Sequence, residues 1–230
     1  MAKKNYVENL FNNIASSYDR LNHILSLNID KCWRKKAVKI ILSRPHELVL
    51  DVACGTGDFA IALAKAGVKE VVGIDISEKM LEIGKEKIIQ KNVEKTILLQ
   101  YEDCEKMSFE TNSFDGVTVA FGVRNFEHLS VGIQEMYRVL KPEGKLVILE
   151  LSTPENKLIF SLYNIYFKHI LPSIGGWISG DKSAYRYLYQ SVLQFPKPDK
   201  FIPILSSCGF QKVEHKAFTF GLARMYVATK

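Results

Sequence analysis

The feature that most constrains how this 230-residue chain folds is an alternation that begins at residue 48. Short apolar runs rich in Val, Ile and Leu occupy Leu48–Val52, Val71–Asp75, Ile97–Tyr101, Gly116–Phe121 and Leu146–Leu151. Between them lie helical patterns over Asp58–Ala66, Ser77–Gln90 and Val131–Leu140. Runs without polar alternation predict strands buried on both faces, hence parallel ones. Repeated strand–helix units then predict an α/β, doubly wound, Rossmann-like sheet. Lys141-Pro142-Glu143-Gly144 reads as a stop and turn before the fifth strand. The ending differs: Phe210–Phe218 and Ala223–Thr229 follow each other across a short turn, which predicts an antiparallel last pair.

We read one domain in four parts. Residues 1–44 form N-terminal helices, 46–151 the core, 152–197 an insertion and 198–230 a C-terminal helix with strands. In the first part Tyr6, Leu10, Ile14, Tyr18 and Leu21 recur at helical spacing, with Phe11 and Leu25 nearby on the same face. Asp30 reads as the N-cap of a second helix, Lys31 to Ser43, stopped by Pro45. In the insertion Ile159, Tyr163, Tyr166, Phe167 and Ile170 keep helical spacing. Pro172 should end that helix, and Gly175-Gly176 supplies a hinge-like loop before Trp177.

Composition narrows the class. A hydrophobic share of 47% and a charged share of 24% suit a globular chain able to bury a core without staples. Cys32, Cys54, Cys104 and Cys208 lack CxxC or Cys/His spacing, which argues against zinc or a disulfide framework. The opening MAKKNYVENLFNN carries no signal-peptide run, and no apolar stretch approaches the roughly 20 residues of a spanning helix. A cytoplasmic protein is expected. The net charge of +6 is mild.

Ligands of a doubly wound sheet bind at the carboxyl ends of strands, where strand order reverses. The first strand runs into Asp51-Val52-Ala53-Cys54-Gly55-Thr56-Gly57-Asp58, whose glycines let backbone approach a ligand closely. Gly55-x-Gly57-x-x-Ala60 with Asp75 also fits a dinucleotide fingerprint. Asp51 separates the two readings, because a carboxylate there repels pyrophosphate and attracts an amino group. Asp75 ends the second strand and Glu102-Asp103-Cys104 the third, a polar corner suited to an adenine amino group. Acids at three successive strand ends suit a cationic sulfonium nucleoside, S-adenosylmethionine.

Leu50–Asp58 (LDVACGTGD) and Met136–Lys145 (MYRVLKPEGK) carry motifs found across class I S-adenosylmethionine-dependent methyltransferases. Thr118–Asn125 (TVAFGVRN), Val7–Asn22 with Trp33-Arg34, and Ala184–Leu188 with Phe195-Pro196 are more particular. Together these segments resemble the quinone-biosynthesis C-methyltransferases over nearly the whole chain. The resemblance implies methylation of a ring carbon of demethylmenaquinol, or of the polyprenyl-methoxybenzoquinol precursor of ubiquinone. The FNNIASSYDRLNHILSLNID opening and VILELSTPE favour the menaquinone pathway. The resemblance places Thr56, Asp75, the Asp103-Cys104 pair and the Ala120 position where the family holds the cofactor, and with the glycine turn at Gly55 and Gly57, Asp51 and Ile76 they make the expected cofactor-binding set. Many members carry serine where this chain has Ala120, so that hydroxyl contact is lost here.

Methylating a quinol carbon requires carbon, methyl and sulfur in line, water excluded, and a phenolic proton removed. Arg124 and Asn125 lie just beyond the fourth strand, where a guanidinium can stabilise a developing phenolate without acting as a base. A salt bridge from Arg124 to Glu127 or Asp115 is the structural alternative. Tyr18 and Asp19 sit on a segment able to fold over substrate, although Tyr18, on the apolar face, can equally be plain packing. His128 and His169 are weaker candidates for a base.

The aromatic insertion suits a lid over an apolar ring and its prenyl tail. Lys31, Arg34, Lys35, Lys36, Lys39 and Arg44 make a basic helix that can rest on anionic lipid at the inner membrane face, or be a solvated surface. A homodimer is left open. The rival readings are an RNA methyltransferase, suggested by a pI near 9.0, and a non-enzymatic cofactor sensor. Against the first, the fourth strand ends in AFGVRN and not the N/D-P-P-Y/F signature, so no nucleic-acid partner is expected. Against the second stands the apolar lid.

Overall fold

A computed structural model describes residues 3–26, 28–43, 47–170 and 182–230. Its frame is a mixed seven-stranded sheet in the order β3-β2-β1-β4-β5-β7-β6 among the described residues. The strands are β1 (Leu48–Val52), β2 (Glu70–Asp75), β3 (Ile97–Tyr101), β4 (Phe114–Ala120), β5 (Leu140–Leu151), β6 (Gln211–Phe218) and β7 (Ala223–Thr229). The first five run parallel, and β7 pairs antiparallel with both β5 and β6. Strand order reverses between β1 and β4, which opens the crevice expected of a doubly wound sheet.

Period-two alternation sorts the strand residues onto two cores. Leu50, Val52, Val117, Val119 and Ile148 face α5 (Leu129–Val139) and α8 (Pro198–Ser207). Val49, Val71, Leu99, Val147 and Leu149 face α2 (Ile29–Ile41), α3 (Asp58–Lys65) and α4 (Glu78–Gln90). Asp51 follows the parity of Val49 and so points toward α2 and α3. Contact there is close. A Cβ on Gly73 would stand 2.5 Å from Leu99 Cδ2 and 3.0 Å from Cys54 Sγ, so only glycine lets β2 approach the loop after β1.

The N-terminal helix α1 (Lys4–Leu25) buries Val7, Leu10, Ile14 and Ala15 against α4. Tyr6, expected on that face, is 50% exposed, because Val7 takes the packed position. The side chains of Leu21 and Leu25 lie outside the described residues. Helix α2 starts two residues earlier than a cap at Asp30 requires. Asn28, in left-handed conformation, caps it, and Asp30 is buried inside the first turn, paired with Arg34 and Ser26. The helix ends at Ile41, and Arg44 and Pro45 lie outside the described residues.

The Lys141-Pro142-Glu143-Gly144 turn is absorbed into β5. Pro142 has no N–H and Glu143 takes φ +62°, yet Glu143 and Gly144 hydrogen-bond the chain end at Lys230. The insertion opens with α6 (Lys157–Ile165), passes into a π-helical turn (Tyr166–Ile170), and resumes in α7 (Lys182–Gln194). Of α6 only Tyr163 is buried; Leu158, Leu162 and Ile165 are exposed. Pro172, Gly175, Gly176 and Trp177 lie outside the described residues.

Candidate active site

Three cavities meet beyond the carboxyl ends of β1, β2 and β4. The first, about 710 Å³, is lined by Gly55, Asp75, Ile76, Asp103, Cys104 and Asn125 among others. A recess of about 360 Å³ beside it is bounded by Asp51, Thr56, Asp58, Asp19 and Arg34. The third, about 1290 Å³, is apolar and walled by Trp33, Leu162, Tyr163, Phe167, Leu188 and Arg124. Tyr18 and Phe121 line all three, and Ala120 lines the first two. These shared side chains bring the three cavities side by side at one junction.

The loop after β1 earns its shape from its residues. Ala53, Gly55 and Gly57 all take positive φ (51°, 55° and 79°). The Gly55 N–H donates to Asp75 Oδ2 at 2.8 Å, and the Ser77 N–H to Asp75 Oδ1 at 2.9 Å. Asp75 thus ties β2 to the glycine turn while facing the cleft. Across the junction Phe121 is also held at φ +60°. Two non-glycine residues in that region, both on the cavity walls, mark a site where backbone strain is tolerated.

The acids expected to share one rim are divided between cavities and differ in their commitments. Asp103 Oδ2 accepts from Lys4 Nζ at 2.7 Å. Burial raises that carboxyl, but Lys4 and the Glu105 N–H outweigh burial and hold it below its ordinary value. Burial raises Asp75, offset in part by its backbone donors. Asp51, 1% exposed, is pushed up to about 7 by burial, against the pull of Thr118 and Arg34. Its Oδ1 accepts from Thr118 Oγ1 at 2.9 Å, and its Oδ2 has no hydrogen-bond partner among the described residues. Burial, reinforced by nearby carboxylates, lifts both the Cys54 and Cys104 thiols well above the usual range, so neither is a nucleophile.

Thr56 donates to Asp19 Oδ1 at 2.5 Å, and Lys87 Nζ bridges Asp19 and Asp58 at 2.6 Å each. With Lys4 on Asp103, these contacts lay α1 across the first cavity and the recess. Asp19 lies on the segment expected to fold over the site, whereas Lys4 and Lys87 were not legible as site residues, because nothing local marks a surface charge that folding brings to a loop far away in sequence.

Arg124 and Asn125 diverge. Asn125 faces the first cavity and accepts from the Tyr187 hydroxyl at 2.9 Å. Arg124, 6% exposed, lines the apolar cavity and pairs with neither Glu127 nor Asp115. Its Nη1 meets Glu150 Oε1 at 2.7 Å, its backbone N–H meets Glu150 Oε2 at 3.1 Å, and its Nε donates to Ser191 Oγ at 3.3 Å. Glu150 had a visible signal: one carboxylate inside the apolar run of β5 must find a cation when buried. His128 is exposed on Glu105, away from the cavities, and the His169 side chain lies outside the described residues.

Comparison with known proteins follows the same lines. The profile of the ubiE/COQ5 methyltransferase family matches residues 1–230. A Bacteroides fragilis protein named demethylmenaquinone methyltransferase is 45% identical, covering 99% of this chain and 94% of its own. A Geotalea daltonii protein named ubiquinone/menaquinone biosynthesis C-methyltransferase UbiE is 44% identical, covering 97% and 96%. Among solved structures, an S-adenosylmethionine-dependent methyltransferase from Thermotoga maritima superposes with TM-score 0.68 over 96% of this chain and 99% of its own. At 18% identity it speaks for the fold alone.

The Arg124–Glu150 pair yields a stability prediction. Replacing Glu150 with Gln leaves a guanidinium buried without its counter-charge, which costs about 3–5 kcal/mol. Urea denaturation should show that loss. It should also show recovery of part of it when Arg124 is replaced by Met in the same chain. A Glu150→Gln protein as stable as the parent contradicts the assignment.

Proposed function

This chain belongs to the ubiE/COQ5 methyltransferase family, and on that premise we propose that it methylates a ring carbon of demethylmenaquinol, giving menaquinol. S-adenosylmethionine is the methyl donor; when bound it supplies an electrophilic methyl on a cationic sulfur. The observation that carries the reading is the junction at Tyr18 and Phe121. There a carboxylate-lined cleft and its recess open onto an apolar cavity large enough for a ring and the start of a prenyl tail. The residues fit such a donor. A Cβ would strain the Gly55 and Gly57 turn, and the unpartnered Asp51 Oδ2 awaits a cationic donor group.

In this reading Asp103 and the Cys104 backbone take the adenine edge, Asp75 and Ile76 the ribose, and Gly55, Thr56 and Gly57 the amino-acid end. Ala120 offers only a methyl group beside it. Arg124 holds positive charge at the ring oxygen as that oxygen loses its proton, with Glu150 and Ser191 fixing its orientation. Tyr18 and Asn125 position the ring and close the junction to water. Residues 152–197 serve as the lid, with α6 and α7 walling the apolar cavity. Because a relative is named for both ubiquinone and menaquinone biosynthesis, the polyprenyl-methoxybenzoquinol ring is the alternative acceptor in this reading.

Among the described residues no helix is long and apolar enough to cross a membrane. The mouth of the apolar cavity nevertheless suits peripheral contact at a cytoplasmic face. Ile29 and Leu162 line it while exposed, and Phe220, at φ +58° and 78% exposed, stands between Thr219 and Leu222 on the same rim. Lys31, Lys35, Lys36 and Lys39 of α2 are exposed beside it, and Lys36 Nζ lies 5.0 Å over the Phe218 ring. Anionic headgroups are complementary to that arrangement.

Two measurements follow. Incubation with methyl-labelled S-adenosylmethionine and short-chain demethylmenaquinol should place label on the quinol ring and none on tRNA; label on RNA alone overturns the reading. The protein should sediment with anionic vesicles at low salt and be released by high salt. Absence from the vesicle pellet at low salt removes the membrane contact and leaves the methyl transfer standing.

A further inference from the structure

The wall of the apolar cavity carries a buried polar atom with nothing to bind. The Tyr163 hydroxyl is shielded from solvent and has no hydrogen-bond partner among the described residues. Neighbouring polar groups on the same wall are committed: Ser26 donates to Asp30, and Trp33 Nε1 donates to Thr219 Oγ1 at 3.1 Å. Tyr189, packed beside Tyr163, donates its own hydroxyl to Asn164 at 2.9 Å. A buried hydroxyl left unpaired costs more than an ordinary hydrogen bond contributes, so such an atom on a cavity wall points to a ligand group that completes it.

The surroundings of the ring fix where that oxygen stands. Tyr163 is 6% exposed on α6. Its ring stacks on Phe167 at 4.2 Å between centroids, and lies 6.3 Å from Phe160 with 13° between the planes. Phe167 belongs to the π-helical turn after α6, a departure from α geometry of the kind found at functional sites. A clamped ring gives its oxygen one position. Burial pushes the phenol far above its ordinary value, with Tyr189 adding to the effect and Arg124 opposing it. Tyr163 therefore keeps its proton and serves as a hydrogen-bonding group, not as a base.

A quinol supplies the missing partner. It carries two oxygens at opposite ends of its ring, and Arg124 serves the one beside the reacting carbon in the reading above. The second oxygen would otherwise enter apolar surroundings unpaired, which is costly. Tyr163 lines the apolar cavity but neither the cleft nor the recess, and it stands with Leu162 and Phe167 on the lid side. We propose that the Tyr163 hydroxyl holds this second ring oxygen and makes the site specific for a para-dihydroxy ring over a monophenol. The proposal rests on the quinol methyltransferase reading and adds to it a specificity-determining residue.

Acceptor binding in the dead-end complex with S-adenosylhomocysteine, followed by anaerobic calorimetry, tests this. The two ligands are short-chain demethylmenaquinol and an analogue lacking only the hydroxyl beside the prenyl-bearing carbon. The parent should bind the quinol about 10-fold tighter, as one completed buried hydrogen bond requires. Tyr163→Phe keeps the ring stack but should lose that advantage on the quinol, binding both ligands alike to within about twofold. Its affinity for S-adenosylhomocysteine should not change, and its urea midpoint should be no lower than the parent's. A parent without the preference overturns the proposal, as does a variant that keeps it or one that weakens both acceptors alike. A parent that takes up S-adenosylhomocysteine but neither acceptor removes the quinol reading itself, and this inference with it.

Discussion

The structure turns on a carboxyl group buried where the sheet changes direction. Asp51 is the penultimate residue of β1 and Thr118 lies opposite it in β4, and the hydrogen bond between them joins the two strands between which strand order reverses. Burial there makes ionisation costly, so the carboxyl holds its proton until near-neutral pH. A folded chain keeps such a group only where something compensates it. The glycine turn, the Asp75 clamp on that turn and the recess lined by Arg34 are arranged around this one unsatisfied oxygen.

That constraint also sets the direction of selectivity. Three buried or half-buried acids surround the cleft, and an ammonium or sulfonium is attracted where a diphosphate is repelled. On the opposite side of Tyr18 and Phe121 the walls become aromatic and aliphatic, with the Arg124–Glu150 pair as their charged element. A polar cleft and an apolar cavity share the Tyr18–Phe121 junction. The strained backbone at Ala53 and Phe121 sits where the two meet.

Most of the fold was legible in the chain. Strands declare themselves by unbroken apolar runs, and β1, β3 and β7 begin and end where the pattern predicts, although β3, at the sheet edge, exposes Leu98 and Tyr101, both expected to be buried. Errors fell where local signals compete with tertiary contacts. Asp30 has the residue type of a cap but is drawn inside α2 by Arg34. The Pro142–Gly144 turn is overridden because the chain end pairs with it. In the site, loop and strand-end residues were readable because their chemistry is local. Lys4 and Lys87 were not, since each acquires its role from partners brought together only by folding.

In the proposed function the buried Asp51 carboxyl ionises to receive a cationic donor. Calorimetry of S-adenosylhomocysteine binding in buffers of different ionisation enthalpy measures this directly. Because burial raises the carboxyl to about 7, affinity should climb with pH below that value, by up to about tenfold per unit, and level off above it. A proton should be released on binding at the acidic end, and Asp51→Asn should bind weakly with neither dependence. Affinity that is flat across that range with no proton released, or tight uptake of NAD instead, contradicts the account.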